Sequence, residues 1–317
     1  MNDQSNKSSS LMFKDSLMSA DDALAFLMDS AVASNQTETS SLDDSIGRIL
    51  AIDIHSKINV PGFDNSAMDG YTIALDENNT SKTNQSFDVV DRITAGSIGN
   101  ELKRGNAARI FTGAPIPKGA NTVVMQEECQ TSDDGSQITI KRAVELNENI
   151  RPTGNDILKD DVILTTGKKI EPQDISLAAS VGIGELRVFK RLKVGVFFTG
   201  DELIEPGNSL SPGKIYNSNR YALVALLNKA GCDVINLGNI KDNLDSTCVA
   251  LESLSSECDL IMTTGGVSVG EEDHVKPAVE KLGSLNLWKI KMKPGKPLAY
   301  GQVKNIPFIG LPGNPVS

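Results

Sequence analysis

The 317-residue sequence predicts a multidomain α/β protein: an open, mostly parallel α/β sheet domain, a small all-β domain and a helical or mixed connecting domain. Two observations lead to this fold class. From residue 191 onward, apolar strand-like runs alternate with helix-like segments, which is typical of a parallel sheet covered on both faces. From 58 to 152, short β-rich runs alternate with Gly, Pro and Asn, which is typical of an all-β domain.

The N-terminal residues begin the domain organisation. The stretch "MNDQSNKSSS" is polar, and residues 1–14 are predicted to form a disordered tail. Residues 15–57 and 153–190 are predicted to form the connecting domain. Its expected elements are a helix in "SADDALAFLMDSA" capped by Ser19, a second short helix in "SLDDSIGRILA", and a strand, a helix and a strand within "DVILTTGKKIEPQDISLAASVGIGELRVF".

Residues 191–317 are predicted to form the α/β domain. Its expected strands are "KVGVFFT", "DVINLG", "DLIMTT", "LWKIKMK", "LAYGQV" and "IPFIGL". Its expected helices lie in "NRYALVALLNKAG", with Asn219 as the cap, in "NLDSTCVALESLSSE" and in "HVKPAVEKLG".

Composition excludes several classes of function. The chain has 41 Asp and Glu against 31 Lys and Arg, a net charge of -10, which disfavours broad nucleic-acid binding. Four cysteines without CxxC spacing and two histidines disfavour a zinc site and a disulfide scaffold. The sequence has neither an apolar run of membrane-spanning length nor a signal-peptide pattern, so we expect a cytoplasmic protein.

Acidic residues follow the expected strands of the α/β domain, at the end where such sheets bind ligands. The first strand leads into Asp201 and Glu202 and the second into Asp242, whereas the third leads into "TTGGVSVGEED", which ends at Asp273. Glycines in that loop let backbone N–H groups approach an anion. The alternatives are that Asp242 caps the next helix and that Asp201 is a turn residue.

A basic run, "WKIKMKPGKP", lies in the same domain. A strand over 288–293 would put Lys289, Lys291 and Lys293 on one face, and the following turn offers Lys296. The alternative is an exposed edge strand protected against aggregation by its charges. Lysines, an anion-binding loop and carboxylates together indicate a phosphate ligand with Mg²⁺.

Two loops of the β-rich region combine turn formers with apolar side chains. They are "PGFDNSAMDGYTI", with Phe63 and Met68 inside it, and "RIFTGAPIPKGA". A solvent-exposed turn made of turn formers is the alternative for each loop.

These motifs resemble one family in order from about residue 15 to the end. "PGFDNSAMDGYTI", "RIFTGAPIPKGANTVVMQEE", "TGDEL", "TTGGVSVGEEDHVK", "WKIKMKPGKPLAYG" and "GLPGNPVS" are similar to those of molybdopterin molybdenumtransferases, the MoeA family, which includes the E domain of gephyrin. The resemblance implies Mg²⁺-assisted insertion of molybdate into adenylylated molybdopterin, giving molybdenum cofactor and AMP. It also implies a homodimer whose active site is shared between the α/β domain of one subunit and the β domain of the other.

The resemblance also implies site residues. Expected catalytic residues are Asp69, Thr112, Asp156, Glu202, Asp242 and Asp273, with Glu202, Asp242 and Asp273 as metal ligands. Expected substrate-binding residues, which include those of the strand-end loops, are Arg151, Asp201, Thr264, Gly265, Gly266, Ser268, Lys289, Lys293, Lys296, Pro312 and Pro315. The family gives Lys291 no role.

The sequence departs from the family pattern in two ways. Asn217 stands where relatives often have Asp, so one carboxylate is expected to be missing. The family continues past "PGNPVS" into a helix and a small C-terminal β-barrel domain, which we expect to be absent from this chain, at a cost in stability or activity.

Two other functions remain alternatives at this point, a molybdopterin adenylyltransferase and a non-catalytic gephyrin-like scaffold. The adenylyltransferase fold would leave the "FDNSAMDG" and "FTGAPIPKGA" loops unexplained, and a scaffold would need a long linker or a second domain. A molybdopterin adenylyltransferase and apo-molybdoenzymes are the expected protein partners, with neither nucleic acid nor membrane among the expected ligands.

Overall fold

The computed structural model describes residues 17–76, 83–266, 273–291 and 297–313 of the chain. The chain divides into two compact units. The α/β unit comprises Met1–Glu38 and Phe189–Ser317, and the β unit comprises Thr39–Val188. The finer domain boundaries expected from the sequence stay a prediction.

Helix α1 (Ala20–Ser30) opens the described part of the α/β unit. Ser19 is its N-cap, and the Asp22 N–H donates to Ser19 Oγ at 3.0 Å. That bond satisfies one of the N–H groups that a helix leaves without a partner in its first turn.

The elements that follow belong to the β unit, although its first strand begins at Thr37 and its last strand ends at Phe189, just outside the unit. In chain order they are β1 (Thr37–Ser41), β2 (Ile54–His55), β3 (Asn65–Ser66), β4 (Gly70–Ile73), β5 (Gln85–Ile93), β6 (Asn106–Ile110), β7 (Thr122–Met125), the 3₁₀ helix Gln126–Glu128, β8 (Cys129–Thr131), β9 (Gln137–Ile140), β10 (Ile150–Arg151), β11 (Val162–Leu164), α2 (Pro172–Ser180) and β12 (Glu185–Phe189).

The main sheet of the β unit has the strand order β7-β4-β6-β5-β9-β8. Its pairs are antiparallel except β5 with β6, which is parallel. Both faces of its centre are buried: Ala107 and Val124 join one apolar cluster, and the adjacent Ala108 and Val123 join another. Successive strand residues point to opposite faces, so small and β-branched side chains cover both sides.

A second core forms where β2 pairs with β11 and β1 with β12. Leu50, Leu164 and Leu186 are buried there with Ala178 of α2. Pro172 is in the first turn of α2, where its missing N–H costs nothing, and Glu171 and Asp174 form a capping box. The expected strand, helix and strand of this region are therefore confirmed.

The expected helix over "SLDDSIGRILA" is wrong. The Asp44 N–H donates to both the carbonyl and the hydroxyl of Ser41, at 3.3 and 3.2 Å, which makes a turn. Gly47 then takes a φ of +73°, and Leu50 forms an isolated bridge with Val188. Burial of Leu50 in the tertiary core overrides the local helical pattern.

The remaining elements build the α/β unit. They are β13 (Lys193–Thr199), β14 (Leu203–Ile204), β15 (Ile215–Tyr216), α3 (Ser218–Lys229), β16 (Asp233–Ile240), α4 (Leu244–Glu257), β17 (Leu260–Thr264), α5 (Val275–Leu282), β18 (Gly283–Lys289), β19 (Pro297–Val303) and β20 (Ile306–Leu311).

The sheet of this unit has the order β16-β13-β17-β20-β19-β18, and the first four strands are parallel. The expected mostly parallel sheet is thus confirmed. β19 is antiparallel to both its neighbours. Lys304 and Asn305 join β19 to β20 with φ values of 47° and 73°, a tight hairpin turn that cannot span a parallel crossover.

Helices cover both faces of this sheet. Phe197 packs with Leu251 of α4 and Val279 of α5, whereas Phe198 packs with Leu223 of α3 on the other face. Burial of these two adjacent phenylalanines on opposite faces explains why β13 is apolar from residue 194 to 198. α1 packs at the far edge, where Ala23 meets Ile290 and Leu298.

We expect Leu251→Ala to lower the free energy of unfolding by about 2–5 kcal/mol, because it removes apolar contacts and leaves a cavity. Val249→Ala on the same helix should change it by about 0.5 kcal/mol or less, because Val249 is 66% exposed and Leu251 is 0% exposed. Urea unfolding followed by circular dichroism measures both. Equal midpoints for the two variants would contradict this account of the core.

Candidate functional site

The carboxyl ends of the four parallel strands lie at one edge of the sheet, which we call the strand-end edge. It consists of residues 199–202, 240–242, 264–266 and 311–313, which end β13, β16, β17 and β20 and begin the loops after them. Ligands of open α/β sheets bind beyond such ends. The edge is therefore the first candidate site of this unit.

Gly265 and Gly266 begin the loop after β17 with φ values of +88° and +63°. A Cβ on Gly266 would lie 2.5 Å from Val275 Cγ2, and a Cβ on Gly265 would lie 3.0 Å from the Thr199 carbonyl oxygen. A side chain does not fit at either position without movement of its neighbours. The glycines therefore bring backbone close to the ends of two other elements.

A cleft opens at the strand-end edge. It brings together three of the expected site residues, Glu202, Thr264 and Gly265. The other lining residues are Thr199, Leu203, Ile215, Tyr216, Asn217, Ser218, Asn219 and Gly313. β15 and the start of α3 form one wall of the cleft, and none of their residues was among the expected site residues.

Two asparagines organise that wall. The Asn219 amide donates to the Gly313 carbonyl at 2.9 Å and to Thr264 Oγ1 at 3.4 Å, which ties α3 to the ends of β17 and β20. The expected capping role of Asn219 is wrong. Asn217 caps α3, because its side-chain oxygen accepts from the Arg220 N–H at 3.1 Å.

Asn217 is 2% exposed, and its side-chain NH₂ donates to Asn239 Oδ1. A carboxylate at this position could not donate that bond. The residue that departs from the family's acidic pattern thus fills a buried hydrogen-bonding role that suits an amide.

Asp242 is anchored at the edge by a neighbouring strand. Thr199 Oγ1 donates to Asp242 Oδ1 at 2.8 Å, and Thr199 itself is 4% exposed. Asn243, not Asp242, caps α4, so the capping alternative for Asp242 does not hold. The pairing with Thr199 fixes where this carboxylate lies relative to β13.

Glu202 and Asp201 follow β13 in an exposed turn. A Cβ on Gly200, whose φ is +144°, would lie 2.7 Å from Glu202 Oε2, so the Glu202 carboxylate folds back over the strand end. Asp201 contributes its backbone, because its carbonyl accepts from Lys214 Nζ at 2.7 Å. Glu202 lines the cleft.

Asp273 precedes α5. Its Oδ1 accepts from the backbone N–H groups of Val275 at 3.2 Å and Lys276 at 3.4 Å. A carboxylate there suits the positive end of the helix. Asp273 thus has a local structural role beside its expected function.

The basic run departs from the expected strand. β18 ends at Lys289, Ile290 forms an isolated bridge with Met18, and Lys291 lies in a bend. Lys289 and Lys291 are both exposed. Four other expected site residues, Ser268, Lys293, Lys296 and Pro315, lie outside the described residues, and Pro312 directly follows β20.

Asp69 and Thr112, both expected in the site, contact each other in the β unit. The N–H and the hydroxyl of Thr112 both donate to Asp69 Oδ1, each at 2.8 Å. These bonds, with the nearby Arg109 guanidinium, hold the pKa of the Asp69 carboxyl below its ordinary value of 3.8. Asp69 is therefore ionised at neutral pH.

Arg109 is a neighbour of this pair that sequence reasoning missed. Its guanidinium lies 5.1 Å from the centre of the Tyr71 ring and 4.9 Å from that of Phe111, and it donates to the Gly70 carbonyl at 3.1 Å. The pairing register puts Tyr71 directly beside Arg109. The sequence signal that could have pointed to Arg109 is the basic and aromatic pair in "ARIF", together with Tyr71 in "YTI".

Arg151 and Asp156 also form a contacting pair of expected residues. Arg151 donates to Asp156 Oδ2 at 2.5 Å, and Asn155 donates to Asp156 Oδ1 at 2.8 Å. Both bonds lower the pKa of Asp156, and the bond from Asn155 has the larger effect. Both partners are about half exposed. Solvent screening makes such a pair a weak contributor to stability.

Within the described residues, no three His, Cys, Asp or Glu side chains group closely enough to hold a metal ion. In the same part of the chain, no helix has the length and apolar character needed to cross a membrane.

Two family models match the chain. Residues 18–182 match the MoeA N-terminal region (domain I and II), and residues 195–317 match a probable molybdopterin binding domain.

Individual proteins match over nearly the same range. The chain is 44% identical to the molybdopterin molybdenumtransferase of Haemophilus influenzae over 95% of this chain and 74% of that protein. It is 38% identical to the enzyme of the same name from Bacillus subtilis, over 88% of this chain and 66% of that protein. A crystal structure of a molybdopterin biosynthesis MoeA protein from Pyrococcus horikoshii superposes with a TM-score of 0.80 at 32% identity, covering 95% of this chain and 75% of that one.

The lowered pKa of Asp69 predicts a pH dependence of stability. The carboxylate stabilises the folded state above the unfolded pKa, and this contribution is lost as the pH falls through the lower folded pKa. Asp69→Asn should therefore lose less stability between pH 7 and about pH 3 than the wild type does. Urea unfolding at both pH values measures the difference.

Thr112→Val is the matched variant, because it removes the hydroxyl donor and keeps the N–H donor. Its loss of stability between the two pH values should fall between those of the wild type and Asp69→Asn. Three identical losses would contradict the assigned bonds.

Proposed function

The chain belongs to the MoeA family, the molybdopterin molybdenumtransferases of molybdenum cofactor biosynthesis, and from that premise we propose that it inserts molybdate into adenylylated molybdopterin with release of AMP. Most of the support comes from the 44% identity over 95% of the chain. The chain spans between two thirds and three quarters of its compared relatives' length.

Both proposed substrates are anions, and the chain carries a net charge of -10. Binding them requires local positive potential from cations and backbone N–H groups. The loop that begins with Gly265 and Gly266 offers backbone, and Lys289 offers an exposed ammonium group, with Lys293 and Lys296 proposed to extend it. In this proposal these groups offset the negative charge of phosphate and molybdate.

Mg²⁺ is proposed to assist at the strand-end edge. The ion prefers oxygen ligands and commonly uses one or two protein carboxylates together with substrate phosphate and water. The Asp242 and Glu202 carboxylates supply that chemistry, whereas Asp273, the third expected ligand, does not form a three-residue metal-binding group with them in the described part of the chain. A bound Mg²⁺ would supply a Lewis acid beside the phosphate oxygens. The Thr199 hydroxyl orients Asp242 for this role.

Asp69 is proposed to act as an anion and Thr112 as a hydrogen-bond donor. Asp156 and Arg151 belong to the same unit. Because the pKa of Asp69 lies below 3.8, this residue has no proton to donate at neutral pH. A role as general acid is disfavoured, and electrostatic orientation or a base role fits better. Both Thr112 donors act on Oδ1 of Asp69, which leaves its Oδ2 for a ligand in this proposal.

The assembly proposed for catalysis is a homodimer. In it, the strand-end edge of one subunit is completed by the partner subunit's Asp69 and the partner subunit's Thr112. The support for this assembly is the family resemblance. A cytoplasmic location is part of the same proposal.

Asp69→Ala should lower turnover by about 10²-fold or more while the protein stays folded, because it removes a charge and the anchor of Thr112. Adenylylated molybdopterin, molybdate and Mg²⁺ are supplied to the purified protein. AMP release and reactivation of an apo-molybdoenzyme are then measured together.

Asp53→Ala is the control, because Asp53 accepts the same two kinds of bond from Thr166 away from the expected site residues. It should keep near wild-type turnover. Normal turnover in Asp69→Ala would refute the role of Asp69. ATP consumption without molybdate in the wild type would favour the adenylyltransferase alternative instead.

A further inference from the structure

Three aspartates of the β unit bind a distant threonine in the same way. In each pair one carboxylate oxygen accepts from both the N–H and the hydroxyl of the threonine, at distances between 2.7 and 2.9 Å. The pairs are Asp53 with Thr166, Asp64 with Thr153 and Asp69 with Thr112. All six residues are exposed. Bonds to a charged oxygen are stronger than neutral ones, so each pair fastens two chain segments that are far apart in sequence.

The three pairs fasten different parts of the unit. Asp53 and Thr166 join the segments beside the β2 and β11 strands, where none of the expected site residues lie. Asp69 and Thr112 are expected site residues themselves. Asp64 and Thr153 were not among the expected residues, yet Thr153 lies between Arg151 and Asp156, which were.

Asp64 lies at the centre of three loops. Its side chain holds Thr153, and its carbonyl accepts from the Ile116 N–H at 2.9 Å, in the loop that follows Thr112. Next to it, Asn65 pairs with Arg151 in the β3–β10 ladder and bridges to Pro115. One residue therefore connects the Asp69 loop with both other loops that carry expected site residues.

Further backbone bonds hold the same three loops together. The Gly154 N–H donates to the Pro61 carbonyl at 2.9 Å, and the Gly113 N–H donates to the Ser66 carbonyl at 2.8 Å. The Ala67 N–H donates to the Asn149 carbonyl at 2.9 Å. Within this network the Asp64 carboxylate supplies the charged contact to the loop of Arg151 and Asp156.

From this geometry we infer that Asp64 and Thr153 are a positioning pair for the transferase reaction, holding Arg151 and Asp156 in place relative to Asp69 and Thr112. The inference rests on the proposed function. Asp64 acts through Thr153, because the bonds shown for its carboxylate go to that residue. A displacement of about 1 Å at a reacting group costs roughly 10²-fold in rate. Loss of a positioning bond is therefore expected to reduce turnover strongly while the protein stays folded.

The test compares Asp64→Ala with Asp53→Ala, which loses the same two bonds at a place without expected site residues. Both should lower the melting temperature by similar amounts. Asp64→Ala should lower kcat/KM by about 10- to 100-fold, and Asp53→Ala should leave it near the wild-type value.

Two further variants separate positioning from direct chemistry. Asp64→Asn should recover most of the lost kcat/KM, because its amide oxygen can accept both bonds from Thr153. Thr153→Val loses one of the two bonds and should give an intermediate value. The double variant Asp64→Ala/Thr153→Val should resemble Asp64→Ala alone, because the two residues act as one unit.

Hydrogen–deuterium exchange tests the geometry independently of activity. Asp64→Ala should raise exchange in peptides covering 149–156, where the Thr153 N–H loses its acceptor. Asp53→Ala should raise it at Thr166 and leave 149–156 unchanged.

Each other outcome overturns one specific statement. Equal kcat/KM values for Asp64→Ala and Asp53→Ala would reduce Asp64 to a structural residue. Asp64→Asn as inactive as Asp64→Ala would make the charge itself essential and refute positioning. An inactive wild type, with the expected exchange pattern intact, would refute the proposed function and leave the loop network standing.

Discussion

A bulge in β16 determines where the side chains of the strand-end edge lie. Val196 pairs with Asn236, but Phe198 pairs with Asn239, so β16 contains one residue more than β13 over this stretch. Gly238, at a φ of +71°, takes up the extra residue while its N–H donates to Asn236 Oδ1 at 2.9 Å. The shifted register sets Ile240 opposite Thr199 and leaves Asp242 within 2.8 Å of the Thr199 hydroxyl. The contact of Asn239 with Asn217 follows the same bulge.

The alternation of apolar strands and helices was sufficient to predict the α/β unit, because burial on both faces makes residues 194–198 of β13 and 260–262 of β17 apolar runs. It could not predict the bulge, although an isolated glycine in a strand pattern is a weak sign of one. The helical residue pattern also predicted a helix at residues 41–51, where the structure instead has a turn at Ser41 and a buried Leu50. Local periodicity reports which residues are buried, and tertiary contacts decide in which conformation.

The site shows the same division. Strand-end acids and glycines follow from topology, since parallel strands bring their carboxyl ends to one edge. The Asn219 bonds to Thr264 and Gly313 do not follow, because they join residues 45 and 94 positions apart. The contact of Asp69 with Thr112 was equally invisible in the sequence, although both residues were expected from the family resemblance. Pairwise side-chain geometry is a product of the fold, and spacing along the chain carries little information about it.

The carboxylates of the two units have different hydrogen-bond and charge partners, which matters for an acidic protein that is proposed to bind an anionic substrate. Asp242 at the strand-end edge accepts from the Thr199 hydroxyl, and Asp273, before α5, accepts from two backbone N–H groups. In the β unit, Asp156 forms an ion pair with Arg151, whereas Asp69 accepts from Thr112 and has the Arg109 guanidinium nearby. In the proposed function, Asp242 and Glu202 are the carboxylates that share Mg²⁺ with a phosphate. For Asp69 and Asp156, a nearby arginine reduces the repulsion between the carboxylate and an anion such as the phosphate or molybdate of the proposed reaction.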